Sequence, residues 1–377
     1  MKLLFFTGSR GEWGYIKPLL KICKKRKIKY SICATNMHLL PSFGLSINEI
    51  KNDGFHVDDV IHMSLDGYDH FTMTKSMGIL HQSFTDLVLR IKPDWIILAG
   101  DRSETLIASI VGAYTYTPVA HIQAGELSGN IDGLARHAIG KFSHLHFCSN
   151  IDAFRRLINL GEQKFRIHNV GAPQLDEIKK FQITSKHKNL IKKIINKKFM
   201  IISQHPVTEE FSLAEFQIKQ TLRAINKFKD FNFVFILPNN DAGNLNIRLE
   251  IEKNRSNKTW LFDNLPRNDY LFLLSKAECL VGNSSSGLIE APSFNLPAVN
   301  IGRRQKNRVF GKNVIHCSDF NEKKIFNSIK KAISKTFINK LKNVKNPYGD
   351  GNSAKKIVDI LLKTKKNDML LFKELTF

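Results

Sequence analysis

The sequence predicts an α/β protein made of two doubly wound, parallel-sheet domains, and three observations support this. Short β-branched or apolar runs alternate with helix-length amphipathic segments, the pattern of a parallel sheet covered on both faces. The pattern restarts after a polar, lysine-rich stretch from about Phe181 to Lys198. The chain is also 377 residues long, more than one ordinary core accommodates. The expected domains are therefore residues 1–180 and 181–377, with the last helix, around Asn352 to Lys363, open to packing back on the first domain.

In chain order, the first-half strands are expected near Leu3–Thr7, Tyr30–Ala34, Trp95–Ala99, Val119–Gln123 and His144–Cys148, with helices between them. In the second half the strand-like runs are FMIISQ (Phe199–Gln204), FNFVFILP, TWLF, ECLVGN and LPAVNI. Two such domains would bring the C-terminal ends of both sheets to a shared crevice, where ligands of doubly wound folds bind. The polar motifs are expected to line it.

Composition narrows the function classes. With 42% hydrophobic and 24% charged residues the chain reads as a folded globular protein. No run approaches the roughly 18 apolar residues that span a bilayer. The opening MKLLFFTGSRGEWG reads as a first strand rather than a signal peptide, so a cytoplasmic protein without a membrane partner is expected. The net charge of +23 comes mainly from lysines in helix-like segments such as Lys186–Lys198 and Lys323–Lys342. No nucleic-acid motif accompanies it, so it reads as a solvated surface. Five scattered cysteines (Cys23, Cys33, Cys148, Cys279 and Cys317) form no CxxC pair and read as reduced and buried.

Seven stretches carry chemistry. FFTGSRGEWG is a strand, a glycine turn and a helix start, whose backbone N–H groups and Arg10 suit a phosphate; glycine for turn geometry alone is the competing explanation. GDRSETL and HIQAGELSGNIDGLARH place Asp101, Arg102, Glu104, Glu126 and Asp132 after two buried strands. These carboxylates could exchange protons if burial or neighbours raise their affinity for them, or could instead pair with Arg102 and Arg136. VGNSSSGLIEAPSF gathers Ser284, Ser285 and Ser286 at a helix start fit for a diphosphate, with Glu290 about a turn further on to accept from ribose hydroxyls. NIGRRQKNR adds Arg303, Arg304 and Arg308, which together with the serines make a nucleotide diphosphate the leading ligand. ISQHPVT ends a strand at His205, and PNNDAGN adds Asn239 and Asp241, although turn formation alone would explain the second run.

Taken together, GSRGEWG, GDRSETL, HIQAGELSGNIDGLARHAIGK, GAPQLDEI, QHPVT, PNNDAG, GNSSSGLIEAPSF and NIGRRQKNR resemble the hydrolysing UDP-N-acetylglucosamine 2-epimerases, in the same order over about residues 2 to 317. The resemblance implies two Rossmann-like domains facing a cleft, of glycosyltransferase-B type, and a homodimer. It implies anti elimination of UDP to a 2-acetamidoglucal, then hydration to free N-acetylmannosamine for nonulosonic-acid synthesis. Neither metal nor nicotinamide is required, because there is no net redox step, so no cofactor is expected. The resemblance implies Asp101 and Asp132 as catalytic acids; Glu126 and His205 are further candidate catalytic residues. The implied substrate contacts are Arg10, Arg102, Gln123, Asn239, Ser284, Ser285, Ser286, Glu290, Arg304 and Arg308.

One position departs from that pattern. Gln123 stands where many relatives carry a glutamate, as in HIEGGE or HVEAG, and an amide cannot exchange a proton at neutral pH. Either Glu126 supplies the missing step, or the chain handles a different sugar such as GDP- or UDP-linked N,N′-diacetylbacillosamine, or it is impaired. A non-catalytic nucleotide-sugar-binding protein is the alternative of a different class.

Overall fold

The computed structural model describes residues 1–66, 69–129, 131–178, 188–239, 241–263, 265–342 and 344–376. They form two compact units. The first comprises Met1–Leu127, Ile131–Glu177 and Tyr348–Phe377, and the second Ser128–Asn130 and Ile178–Pro347. The expected boundary between residues 180 and 181 lies outside the described residues. Sequence alone groups residues 348–377 with the second domain and leaves the return of the last helix open, whereas in the structure they belong to the first unit. Packing explains this. The helix Ser353–Lys363 sets Ala354, Ile357, Val358 and Leu361, spaced i, i+3, i+4 and i+7, into one core with Leu3, Phe5, Trp13 and Ile97.

The first unit holds seven parallel strands: β1 (Lys2–Thr7), β2 (Lys29–Thr35), β3 (Asp59–Ile61), β4 (Trp95–Ala99), β5 (Val119–Ile122), β6 (Leu145–Cys148) and β7 (Ile167–Asn169). They lie in the order β3-β2-β1-β4-β5-β6-β7. Period-two alternation along β1 explains its burial on both faces. Leu3 and Phe5 join the core under the C-terminal helix, while Leu4 and Phe6 join Leu80, Phe84 and Val111 on the opposite face.

The second unit holds β8 (Phe199–Ser203), β9 (Asn232–Ile236), β10 (Thr259–Phe262), β11 (Cys279–Gly282), β12 (Ala298–Ile301) and β13 (Val314–Cys317), in the order β10-β9-β8-β11-β12-β13 and again all parallel. Its core packs Met200, Ile202 and Val281 against Ile218, Leu222 and Ile329 from the covering helices.

Each sheet therefore winds outward in both directions from its first strand. The reversals fall between β1 and β4 and between β8 and β11, the switch points where doubly wound folds open a site at the C-terminal strand ends. The ten expected strands are present with ends shifted by a residue or two, and β3, β7 and β13 are additional short strands. All five cysteines are buried and unbridged. No helix among the described residues is long and apolar enough to cross a membrane.

Candidate active site

In the first unit, the turn after β1 begins the helix Arg10–Lys25. The Ser9 hydroxyl accepts from the Glu12 N–H at 3.4 Å, and Glu12 Oε2 accepts from the Gly8 N–H at 2.5 Å. A Cβ on Gly8 would lie 2.5 Å from Glu104 Oε1, so the glycine is required for two carboxyl groups to meet at this turn. Glu104, fully buried in the first turn of the helix Ser103–Tyr114, accepts from Arg102 Nε at 2.9 Å and Asn36 Nδ2 at 3.0 Å. Burial, then the neighbouring Glu104, pushes the Glu12 carboxyl up to about 8. Arg10 is half-buried as the first residue of its helix.

Asp101 and Arg102 fill the gap between β4 and the helix Ser103–Tyr114, and both are half-buried. One strand over, Gln123 follows β5 in a left-handed conformation, φ +64°, which is unusual for a residue with a side chain. Arg136, on the helix Ile131–Phe142, joins the two strand ends. Its Nη1 donates to the Gln123 carbonyl at 2.7 Å, and its Nη2 pairs with Asp101 Oδ2. The Gln123 Nε2 is buried with no hydrogen-bond partner among the described residues. Glu126 is buried on the loop that follows, and Asp132 is half-buried in the first turn of the same helix as Arg136. Asp101 and Arg102 thus follow β4 at the switch point, and Arg136 ties Gln123, one strand further out, to Asp101.

In the second unit, Asn283, immediately after β11, is the hub. Its Oδ1 accepts from the His205 N–H at 2.7 Å, and its Nδ2 donates to the His205 carbonyl at 2.8 Å. Its own carbonyl accepts from Gln305 Nε2 at 2.9 Å and Arg304 Nη1 at 3.3 Å. The His205 ring accepts at Nδ1 from the Asn239 N–H, 3.3 Å away, and Asn239 Nδ2 donates to Asp241 Oδ2 at 2.7 Å. Strand ends β8, β9, β11 and β12 thereby present His205, Asn239, Ser284 and Arg304 together. A Cβ on Gly282 would meet the Ser203 carbonyl oxygen at 2.1 Å, so glycine alone allows β11 this close to β8. The backbone of Arg304 is held as well, because its carbonyl accepts from the Gly129 N–H at 2.9 Å.

Three structural details add to the expectations for this half. The helix after the serines is only four residues, Ser286–Ile289, and Ser285 at its start makes no side-chain capping bond. The Ser286 hydroxyl instead accepts from Tyr270 Oη at 2.7 Å. Arg303 is exposed and turns to Glu210, leaving Arg304 and the buried Arg308 as the inward guanidinium groups; Arg308 donates to Gln305 Oε1 at 3.0 Å. Glu290 is buried and pairs with Arg267, from the start of the helix Arg267–Lys276. Asn283, Gln305, Arg267 and Tyr270 escape a reading by motif. Asn283 lies inside GNSSSG and Gln305 inside RRQKNR, but their side chains brace neighbouring groups, and only topology shows that.

The UDP-N-acetylglucosamine 2-epimerase family profile matches residues 21–362. The chain is 33% identical over 370 residues to the UDP-N,N′-diacetylbacillosamine 2-epimerase (hydrolyzing) of Legionella pneumophila, covering 96% of this chain and 95% of that one. It is 35% identical over 381 residues to the GDP/UDP-N,N′-diacetylbacillosamine 2-epimerase (hydrolyzing) of Campylobacter jejuni, with 99% and 98% covered. To a UDP-N-acetylglucosamine 2-epimerase of Neisseria meningitidis it is 33% identical over 337 residues, with 88% of each covered. Among solved structures, Neisseria meningitidis UDP-GlcNAc 2-epimerase bound to UDP-GlcNAc superposes with a TM-score of 0.83 at 22% identity, covering 97% of this chain and 100% of that one. The fold is accordingly of glycosyltransferase-B type, and the chain belongs to the UDP-N-acetylglucosamine 2-epimerase family.

Proposed function

We propose that this protein is a hydrolysing nucleotide-sugar 2-epimerase, which takes a UDP-linked 2-acetamido sugar and water to UDP and the free 2-epimeric sugar. The observation that carries the proposal is the end-to-end similarity to two enzymes named as hydrolyzing 2-epimerases, at 33% and 35% identity over 95% or more of each chain. In the first step a base takes the C2 proton as the C1–O bond to the diphosphate breaks, leaving a C1=C2 double bond. In the second, water adds, with a proton going to the opposite face of C2 and the hydroxyl to C1. Asp101, Glu126, Asp132 and His205 are the proposed proton-transfer residues. Arg10, Arg102 and Gln123 are assigned to the sugar and phosphate. Asn239, Ser284, Ser285, Ser286, Glu290, Arg304 and Arg308 are assigned to the nucleotide.

For the sugar, our reading is N,N′-diacetylbacillosamine, supported by the names of those two relatives and by the amide at Gln123. A second reading, UDP-N-acetylglucosamine giving N-acetylmannosamine, is favoured by the family description and the Neisseria meningitidis relative. Incubating the protein with each nucleotide sugar and following anomeric protons by NMR tests both. Free 2-epimerised sugar from one substrate assigns it, and release from neither would sink the proposal. A homodimer is part of this proposal, to be checked by light scattering.

A further inference from the structure

We propose that Arg136 is a positioning residue for the reaction, holding the Asp101 carboxylate ionised and aimed while fixing Gln123 in its left-handed turn. This rests on the function proposed above for its catalytic consequence, although the geometry stands without it. The arginine is 2% exposed, and its two terminal nitrogens reach two different strand ends, the Asp101 carboxylate after β4 and the Gln123 carbonyl after β5. A guanidinium is planar, permanently charged and forked, so it fixes the distance and direction between two acceptors in a way an ammonium does not.

Both recipients need such a holder. Asp101 sits among groups of both signs: Glu12 on the first helix and His121 on β5 both feel its charge, and Glu12 also feels Glu104 and Arg102. Burial, and to a smaller degree Arg136, holds His121 neutral, and its Nε2 donates to the Gly100 carbonyl at 2.7 Å. Within this cluster the Arg136 guanidinium is hydrogen-bonded directly to the Asp101 carboxylate. Gln123 occupies a left-handed backbone conformation that is unfavourable for a residue with a side chain, and an unoriented carbonyl there would be free to flip. With the carbonyl anchored, the buried amide of Gln123 is presented in one direction.

The experiment compares Arg136→Met and Arg136→Lys with the wild type, using two readouts. In the first, 13C NMR of aspartate carboxyl carbons, with Asp101 assigned from Asp101→Asn, follows its titration without any substrate. The midpoint is expected to rise by at least about one pH unit in Arg136→Met and to stay near the wild-type value in Arg136→Lys. In the second, turnover of the nucleotide sugar is expected to fall about 100-fold in Arg136→Met and about tenfold in Arg136→Lys, with KM within threefold. The acid limb of the kcat profile should move only in Arg136→Met. An unmoved Asp101 titration in a folded Arg136→Met protein overturns the proposal. If that variant does not fold, full kcat in Arg136→Lys overturns it instead. A wild type that turns over no nucleotide sugar overturns the function and leaves the NMR result to decide Arg136.

Discussion

Acidification should unfold the first unit ahead of the second, because three histidines are buried there as neutral rings. His38 bridges the Thr7 and Ser46 hydroxyls at 2.9 and 2.8 Å, His121 donates to the Gly100 carbonyl, and His144 Nδ1 accepts from the Val119 N–H at 3.1 Å. Burial is the main cause that lowers His38 and His121 to about 3 and His144 to about 4. Their folded values lie below the unfolded one, so the stabilisation is complete above about pH 6.5 and is lost as the pH falls toward the folded values. At pH 5 each ring costs about 2 kcal/mol, about 6 for the three. His146 is not counted, because charging it would give it a partner in Glu162, 3.1 Å away.

Glu12 opposes the histidines. Its folded value is raised to about 8, so its stabilisation is full below about pH 4.5 and is lost as the pH rises through 8. Going from pH 7.5 to 5 it returns about 3 kcal/mol, leaving a net loss of about 3, a sizeable share of a domain's usual 5–15. In Glu12→Gln the offset vanishes and the loss should double. Trp13 and Trp95 report on the first unit and Trp260 on the second, so Trp260→Phe isolates the first-unit signal. In urea titrations of that protein, the midpoint should drop by about 1.5 M between pH 7.5 and 5, and by about 3 M when Glu12→Gln is added. Equal pH dependence with and without Glu12→Gln, or a midpoint that does not move, would refute the reasoning.

Four further outcomes are expected. Asp101→Asn and Asp132→Asn should each lower kcat by about 100- to 10,000-fold while UDP affinity, read by calorimetry, stays within threefold. Arg304→Ala should instead weaken UDP binding by about ten- to 100-fold, the scale of one charge-assisted contact, with the far-UV spectrum unchanged. Gly282→Ala places a methyl 2.1 Å from the Ser203 carbonyl oxygen and should cost about 3 kcal/mol, visible in the Trp260 transition. Ending the chain after Lys363 removes the partners of two buried groups. Arg166 donates to the carbonyls of Met369, Leu370 and Phe372, and Lys373 pairs with Glu162 while donating to the Gly140 and Ser143 carbonyls. About 3 kcal/mol of first-unit stability should be lost, read by the Trp13 and Trp95 signal.

The central strands were legible in the sequence because runs such as WIILA and CLVG are buried on both faces and carry almost no polar residue. The edge strands DVI, IHN and VIHC were not, since a strand with one neighbour needs only a few residues and tolerates Asp, His and Asn. An apolar face on Ser353–Lys363 was visible, but periodicity does not record which core receives it. The glycine turns and strand-end motifs pointed to the correct ends of both sheets, because strand-to-helix turns at switch points carry their residue types locally. Arg136 and Asn283 act across strands. Arg136 reaches Asp101, 35 positions earlier, and Asn283 reaches His205, 78 positions earlier, separations that no motif spans.

The C-terminal helix bears on how this chain is made. The strands of the first sheet leave the ribosome early, yet Ala354, Ile357, Val358 and Leu361, which complete its core, are synthesised long after its last strand, Ile167–Asn169. At about 5–20 residues per second, roughly 10–40 s separate Glu177 from Lys363, and for that time Leu3, Phe5 and Trp13 have no lid. The strands of the second unit, complete by Cys317, can all pair within that interval, so the usual amino-terminal-first order of birth is inverted. A nascent chain stalled short of the last helix would carry one finished domain and one sticky, unfinished one, a natural client for chaperones.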